Sequence, residues 1–76
     1  MTELDQNMKV LLLAELNKSI KAMREYRAEG DKVEVAREKG FTNGIRVALE
    51  YFGYITESRR GRYGDVEKYT DIRSKE

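Results

Sequence analysis

Residues 33–52 read VEVAREKGFTNGIRVALEYF, and this stretch decides the fold that the sequence predicts. At helical spacing it places four small residues on one face, each four positions after the last: Ala36, Gly40, Gly44 and Ala48. Beside them, Phe41 and Ile45 begin an apolar row that continues through Leu49 and Phe52. The pattern predicts a helix over residues 32–52, with a shallow groove against which another helix packs closely.

The dipeptide Asn43-Gly44 allows a different structure, because it is typical of two-residue β-hairpin turns. The residues after Gly44 alternate between apolar and polar, as a strand requires. In the arm before the turn, however, Arg37 and Lys39 would share a face with apolar residues. The helix explains more positions with one rule and is the favoured interpretation, with the β-hairpin as its alternative.

Apolar residues also recur at helical spacing along the N-terminal third of the chain, with good helix formers between them. They predict a helix over residues 3–29, with Thr2 as its N-cap. Gly30 suits the position after a helix C-terminus, and Asp31 suits the N-cap of the next helix. A connection this short predicts two antiparallel helices.

The last twenty residues are polar and carry charges of both signs. Asp65 is a candidate N-cap, and Val66, Tyr69 and Ile72 would share one face of a helix that follows it. The pattern predicts a short helix over residues 65–73.

The predicted fold class is therefore all-α. Residues 1–55 would form an antiparallel helical hairpin of two long helices, and residues 56–76 a tail with the short helix. A chain of 76 residues is one small domain with a modest core. Both predicted helices carry wide apolar stripes, so we expect two hairpins to pair into a helical bundle.

Composition excludes several kinds of functional site. Because the chain has no cysteine, it has no disulfide and no thiolate zinc site. Because it has no histidine, it lacks the side chain that most often acts as a general base. Asp65, Glu67 and Asp71 lack the spacing of a calcium-binding loop, and no glycine-rich phosphate loop is present. We expect no cofactor, no metal and no catalytic activity. No apolar run is long enough to cross a bilayer, and the predicted location is the cytoplasm.

The small-residue groove has two candidate occupants. One is the first helix of the same chain, and the other is a second copy or a helix of another protein. A net charge of +1 gives no general attraction to nucleic acid or membrane. Since small domains often rely on association for stability, we expect a homo-oligomer, with a dimer favoured.

Two further groups are candidates for binding a partner. The rings of Tyr51 and Tyr54 either recognise another protein or close the end of the bundle. The second group combines three arginines with a ring: Arg59, Arg60, Arg62 and Tyr63. It could bind an acidic protein, contact phosphates while stacking a base, or simply form a solvated loop.

A very short, highly charged, single-domain chain that lacks cysteine and histidine and ends in a basic and acidic tail resembles the small accessory proteins of bacteriophages. The resemblance covers the whole length in general character, and no motif transfers functional residues. Many such proteins bind a host enzyme or an antiviral defence complex. The resemblance implies an inhibitory or regulatory binding protein. The apolar surplus on both helices and the missing catalytic groups add that this inhibitor or regulator of a larger protein is non-catalytic and self-associating. The alternative is a small nucleic-acid-binding protein that uses the arginines of residues 59–62.

Overall fold

The computed structural model describes residues 4–75 and shows two helices followed by a β-hairpin. The elements are α1 (Gln6–Ala28), α2 (Lys32–Tyr51), β1 (Tyr54–Arg60) and β2 (Val66–Ser74). The two strands form an antiparallel sheet. The all-α prediction is therefore wrong, because the predicted tail forms a sheet that packs on the helices.

The two long helices have clear sequence boundaries. Asp5 is the N-cap of α1, and its carboxylate accepts a hydrogen bond of 2.7 Å from the backbone N–H three residues later. The predicted cap, Thr2, lies outside the described residues. Gly30 follows α1 with a φ of +76°, and Asp31 caps α2. Since α2 continues through Asn43-Gly44, the alternative of a hairpin turn at that dipeptide is wrong.

The predicted helix over residues 65–73 is wrong, because this segment forms the strand β2. Two bulges in β2 explain why its sequence has the pattern of a helix. In the strand register Thr70 and Glu67 have no opposite residue, so each is one extra residue in β2. The residues of β2 that face the core consequently recur every third position, as on a helix, and not every second position. They are Val66, Tyr69 and Ile72.

The core forms where the hairpin covers the two helices. Its buried apolar residues come from α1, α2 and β2: Leu16, Ile20, Met23, Leu49, Tyr69 and Ile72. Leu16 and Ile72 are the most deeply buried large side chains. The apolar stripe of α1 is thus covered in part by the chain's own sheet. The prediction that two helical hairpins pair into a bundle rested on uncovered apolar stripes, and the stripe of α1 now supports it less.

Short polar side chains form hydrogen bonds between α1 and α2 and between α1 and β2. Thr42 of α2 donates a hydrogen bond of 2.9 Å to the hydroxyl of Ser19, and that hydroxyl lies 2.7 Å from the carboxylate of Glu38. On the other side of α1, Asn17 bonds both backbone groups of Tyr69, donating to its carbonyl at 3.0 Å and accepting from its N–H at 2.7 Å. The helices therefore approach each other at a serine and a threonine.

Candidate functional site

The predicted small-residue groove lies on the outside of the protein. All four small residues of the groove, in the range 36–48, are exposed. Among the described residues, no atom outside its own stretch of helix would lie within 4 Å of a Cβ atom built on Gly40 or Gly44. α1 therefore does not fill the groove, and the interpretation in which it does so is wrong. The side of α2 that faces the core instead carries Val35, Thr42 and Leu49.

Larger apolar side chains lie on the same exposed side of α2. Val33 is 70% exposed, Val47 is 50% exposed and Tyr51 is 84% exposed. Together with the small residues they recur at intervals of three or four along α2, the spacing of a helix that packs against another helix. We call this surface the outer face, and its residues are Val33, Ala36, Gly40, Gly44, Val47, Ala48 and Tyr51.

The apolar row predicted beside the groove divides between two environments. Ile45 is partly buried and packs against the core cluster. Phe41 and Phe52 are exposed large apolar residues that lie nearer to the edge of the outer face. The outer face is therefore wider than the groove alone, and it includes one cation, because the exposed Arg37 lies seven residues before Gly44.

The two tyrosines predicted to bind a partner differ in position. Tyr51 lies on the outer face. Tyr54 is partly buried against the core, and its hydroxyl oxygen accepts a hydrogen bond of 2.7 Å from the backbone N–H of Leu4. Tyr54 thus holds the start of the described chain against the sheet, whereas Tyr51 is free to contact another molecule.

The predicted arginine group does not form a single patch. Arg59 is paired with Glu67 at 3.2 Å. Arg60, the next residue along β1, donates a hydrogen bond of 2.7 Å to a backbone carbonyl in the turn. Arg62 and Tyr63 lie exposed in that turn. Consecutive residues of a strand point to opposite sides, which explains why Arg59 and Arg60 separate.

Sequence reasoning missed a second group of cations that the fold assembles around Arg60. Two come from α1 and two from α2, and all line one cleft: Arg24, Arg27, Lys39 and Arg46. Lys39 and Arg46 are seven residues apart in α2, so they lie on one side of the helix. That spacing was the available signal, but the position of the β-hairpin could not be read from it.

The described residues show one carboxyl group with a clearly shifted pKa. A hydrogen bond from Lys9, with 2.6 Å between the two side chains, lowers the pKa of Asp71 below its ordinary value of 3.8. Within residues 4–75 no three carboxylates come together as a metal site would require. No helix in that part of the chain has the length and apolar character needed to cross a membrane.

Comparisons with models of protein families, with curated proteins and with solved structures found no match to this chain. Arguments about function therefore rest on the outer face and on the cleft.

Proposed function

We propose that this protein is a non-catalytic protein-binding module that forms a homodimer through the outer face of α2. The observation that carries the proposal is the exposure of an apolar helix face on the side opposite the core. In a small protein, several exposed apolar side chains on one helix face are typical of an interaction site.

The outer face is complementary to itself when two copies of α2 pair antiparallel. Its small residues are symmetric about position 42, so a two-fold axis there brings Gly40 of one copy opposite Gly44 of the other. The same operation pairs Ala36 with Ala48. Side chains of this size allow the two backbones to approach more closely than most helix pairs do.

Charge at the edge of the outer face also favours this orientation. Lys32 and Glu50 are eighteen residues apart, which is five turns of helix, and they therefore lie on the same side of α2. In the antiparallel pair, Lys32 of each copy would lie beside Glu50 of the other. Neither side chain forms an ion pair within residues 4–75. A parallel pair would instead place Lys32 of one copy at the level of Lys32 of the other, and Glu50 at the level of Glu50.

The expected dimer is weak. Each copy offers about four half-exposed large side chains, and completing the burial of each is worth about 1 kcal/mol. Two copies therefore gain about 8 kcal/mol, against an association cost of about 4–15 kcal/mol. At the lower end of that cost about 4 kcal/mol remains, so we expect a dissociation constant of about 1 mM.

The physiological role that fits such a module is the inhibition or regulation of a larger protein. The exposed turn supports this role, because Tyr63 is 89% exposed and Arg62 lies beside it. An aromatic ring next to an arginine is a common centre of protein recognition. The proposed location is the cytoplasm, as expected from the sequence. The alternative of nucleic-acid binding has less support, because Arg59 is paired with Glu67 and is separated from Arg60.

The test introduces leucine at the centre of the outer face. Sedimentation velocity would compare the wild type, Gly40→Leu and a control, Ala14→Leu, which adds the same side chain at an exposed position of α1. We expect the wild type and the control to dimerise with rising concentration and Gly40→Leu to stay monomeric. Its melting temperature in dilute solution should not fall, since no neighbour lies within 4 Å of that position. A wild type that is monomeric at about 1 mM would contradict the dimer.

A further inference from the structure

A cleft of about 260 Å³ lies between the two helices and the β-hairpin. We call it the basic cleft, because five cationic side chains line it: Arg24, Arg27, Lys39, Arg46 and Arg60. Asp65 is the one carboxylate among the described lining residues. A protein with a net charge of +1 thus has a local surplus of positive charge at one place.

Among residues 4–75, no carboxylate forms an ion pair with the cations of the basic cleft. The four ion pairs within residues 4–75 all use other basic residues. Arg24 and Arg60 each donate a hydrogen bond to a backbone carbonyl, at 3.0 Å and 2.7 Å. A backbone carbonyl orients a guanidinium without neutralising it. The five side chains therefore repel one another, and a bound anion would relieve that repulsion.

Arg46 provides an independent observation. Its Nε is buried, and within the described residues it has no hydrogen-bond partner. An arginine side chain stays protonated, so this N–H remains a charged donor removed from water. Leaving such a donor unpaired is unfavourable. Arg46 also lines the basic cleft, so a bound anion would contact the exposed part of its guanidinium, and a turn of the side chain would be needed to bring Nε to the anion.

The floor of the cleft limits the kind of ligand. Met23, Val66 and the buried ring of Tyr69 line it beside the cations. A ligand that uses both surfaces has an apolar body and a multiply charged anionic end. Phosphate oxygens match the fork of N–H donors on arginine. The volume of about 260 Å³ lies just below the range of drug-sized pockets, which begins at about 300 Å³, so the cleft holds part of such a ligand and the rest lies at its open side.

We propose that the basic cleft binds a small organic phosphate of the nucleotide class. The phosphates contact the arginines and Lys39, and the organic part lies on the apolar floor. This site lies on a different side of α2 from the outer face, and it does not depend on the proposed dimer. It also differs from the arginine group predicted from the sequence, since Arg60 is the one member of that group that lines the cleft.

The first experiment is isothermal titration calorimetry of the wild-type protein with ATP, with inorganic tripolyphosphate and with adenosine at about 50 mM salt. We expect ATP to bind more tightly than tripolyphosphate, and adenosine not to bind. Chemical shift changes of backbone amides during the ATP titration should centre on Asn43, Arg46 and Val66. Absence of ATP binding at about 1 mM would overturn the proposal. So would shift changes confined to the turn at Arg62.

Variants then separate a built site from general attraction of anions. Arg46→Gln should weaken ATP binding about tenfold or more, as expected from the loss of a charge-assisted hydrogen bond. The control Arg37→Gln removes the same charge from an exposed residue paired with Glu34, and it should change affinity less than about twofold. Lys39→Gln provides a second variant at an exposed position, in case Arg46→Gln folds poorly.

The remaining outcomes are also decisive. Equal losses for Arg46→Gln and Arg37→Gln would show attraction to net charge only, and would overturn the site. Tripolyphosphate that binds as tightly as ATP would exclude the role given to the apolar floor, and with it the nucleotide class. An acidic peptide that displaces ATP and binds more tightly would assign the cleft to a protein partner and overturn the proposal.

Discussion

Replacing both glycines of the outer face with alanine should make the protein more stable. Gly40 and Gly44 lie inside α2, and a Cβ atom added at either position meets nothing within 4 Å in the described part of the chain. The substitution therefore costs no steric strain within the chain. It removes the backbone freedom that glycine has in the unfolded state, which is the source of its poor helix propensity.

The magnitude follows from helix propensity. Glycine in a helix interior is less favourable than alanine by about 1 kcal/mol, so the double variant should gain about 2 kcal/mol in free energy of unfolding. For a domain of this size, that gain corresponds to a rise in melting temperature of about 8–16 °C.

The matched control is Gly64→Ala in the hairpin turn. A Cβ atom at Gly64 also meets nothing within 4 Å, but the backbone there has a φ of +85°. An alanine in that conformation costs about 1–2 kcal/mol. The same chemical change in equally open space should therefore stabilise α2 and destabilise the turn.

The assay is urea unfolding followed by circular dichroism at about 1 μM protein, far below the dissociation constant expected for the dimer. Each variant is compared with the wild type at the same concentration. A lower free energy of unfolding for the Gly40→Ala, Gly44→Ala variant would refute the reasoning. It would mean that the glycine face packs against another part of the same chain.

Two further predictions concern how the hairpin is attached to α1. Asn17→Ala removes two hydrogen bonds to the backbone of Tyr69 and should lower the free energy of unfolding by about 2 kcal/mol, measured by urea unfolding. Asn43→Ala, which changes an exposed asparagine, is its control, and equal losses for the two variants would contradict the role of Asn17. The lowered pKa of Asp71 means that its pairing with Lys9 stabilises the fold above pH 3.8 and is lost as the pH falls through the folded-state pKa. The stability difference between wild type and Asp71→Asn should therefore shrink on acidification below pH 3.8, and a difference that is constant across that range would contradict it.

Local signals in the sequence predict the helices well. The glycine after α1 and the aspartate at the start of α2 act at the positions where the sequence places them, because caps depend on neighbouring residues only. The β-hairpin could not be predicted in this way. Its two bulges change the period of the core-facing residues in β2 from two to three, so a strand carries the pattern of a helix.

The basic cleft was also beyond sequence reasoning, for a different reason. Its cations come from both helices and from β1, and they meet only because the hairpin folds back over the helices. The arginines that are adjacent in sequence separate, since Arg59 pairs with Glu67 whereas Arg60 bonds to the backbone of the turn and lines the cleft. Proximity along the chain predicted a cluster of arginines at residues 59–62, whereas the fold brings together the cations of the basic cleft.

The outer face places two glycines at exposed positions in the middle of a helix. α2 has two apolar sides, and periodicity alone could not decide which of them meets α1. The side that carries Val35, Thr42 and Leu49 does so, and the glycines remain outside. At those positions they cost about 2 kcal/mol relative to alanine, and no contact within the described chain offsets that cost. A contact with another helix would offset it, because only small residues let two backbones approach closely. The exposed position of the glycines is thus the strongest reason to look for the second copy.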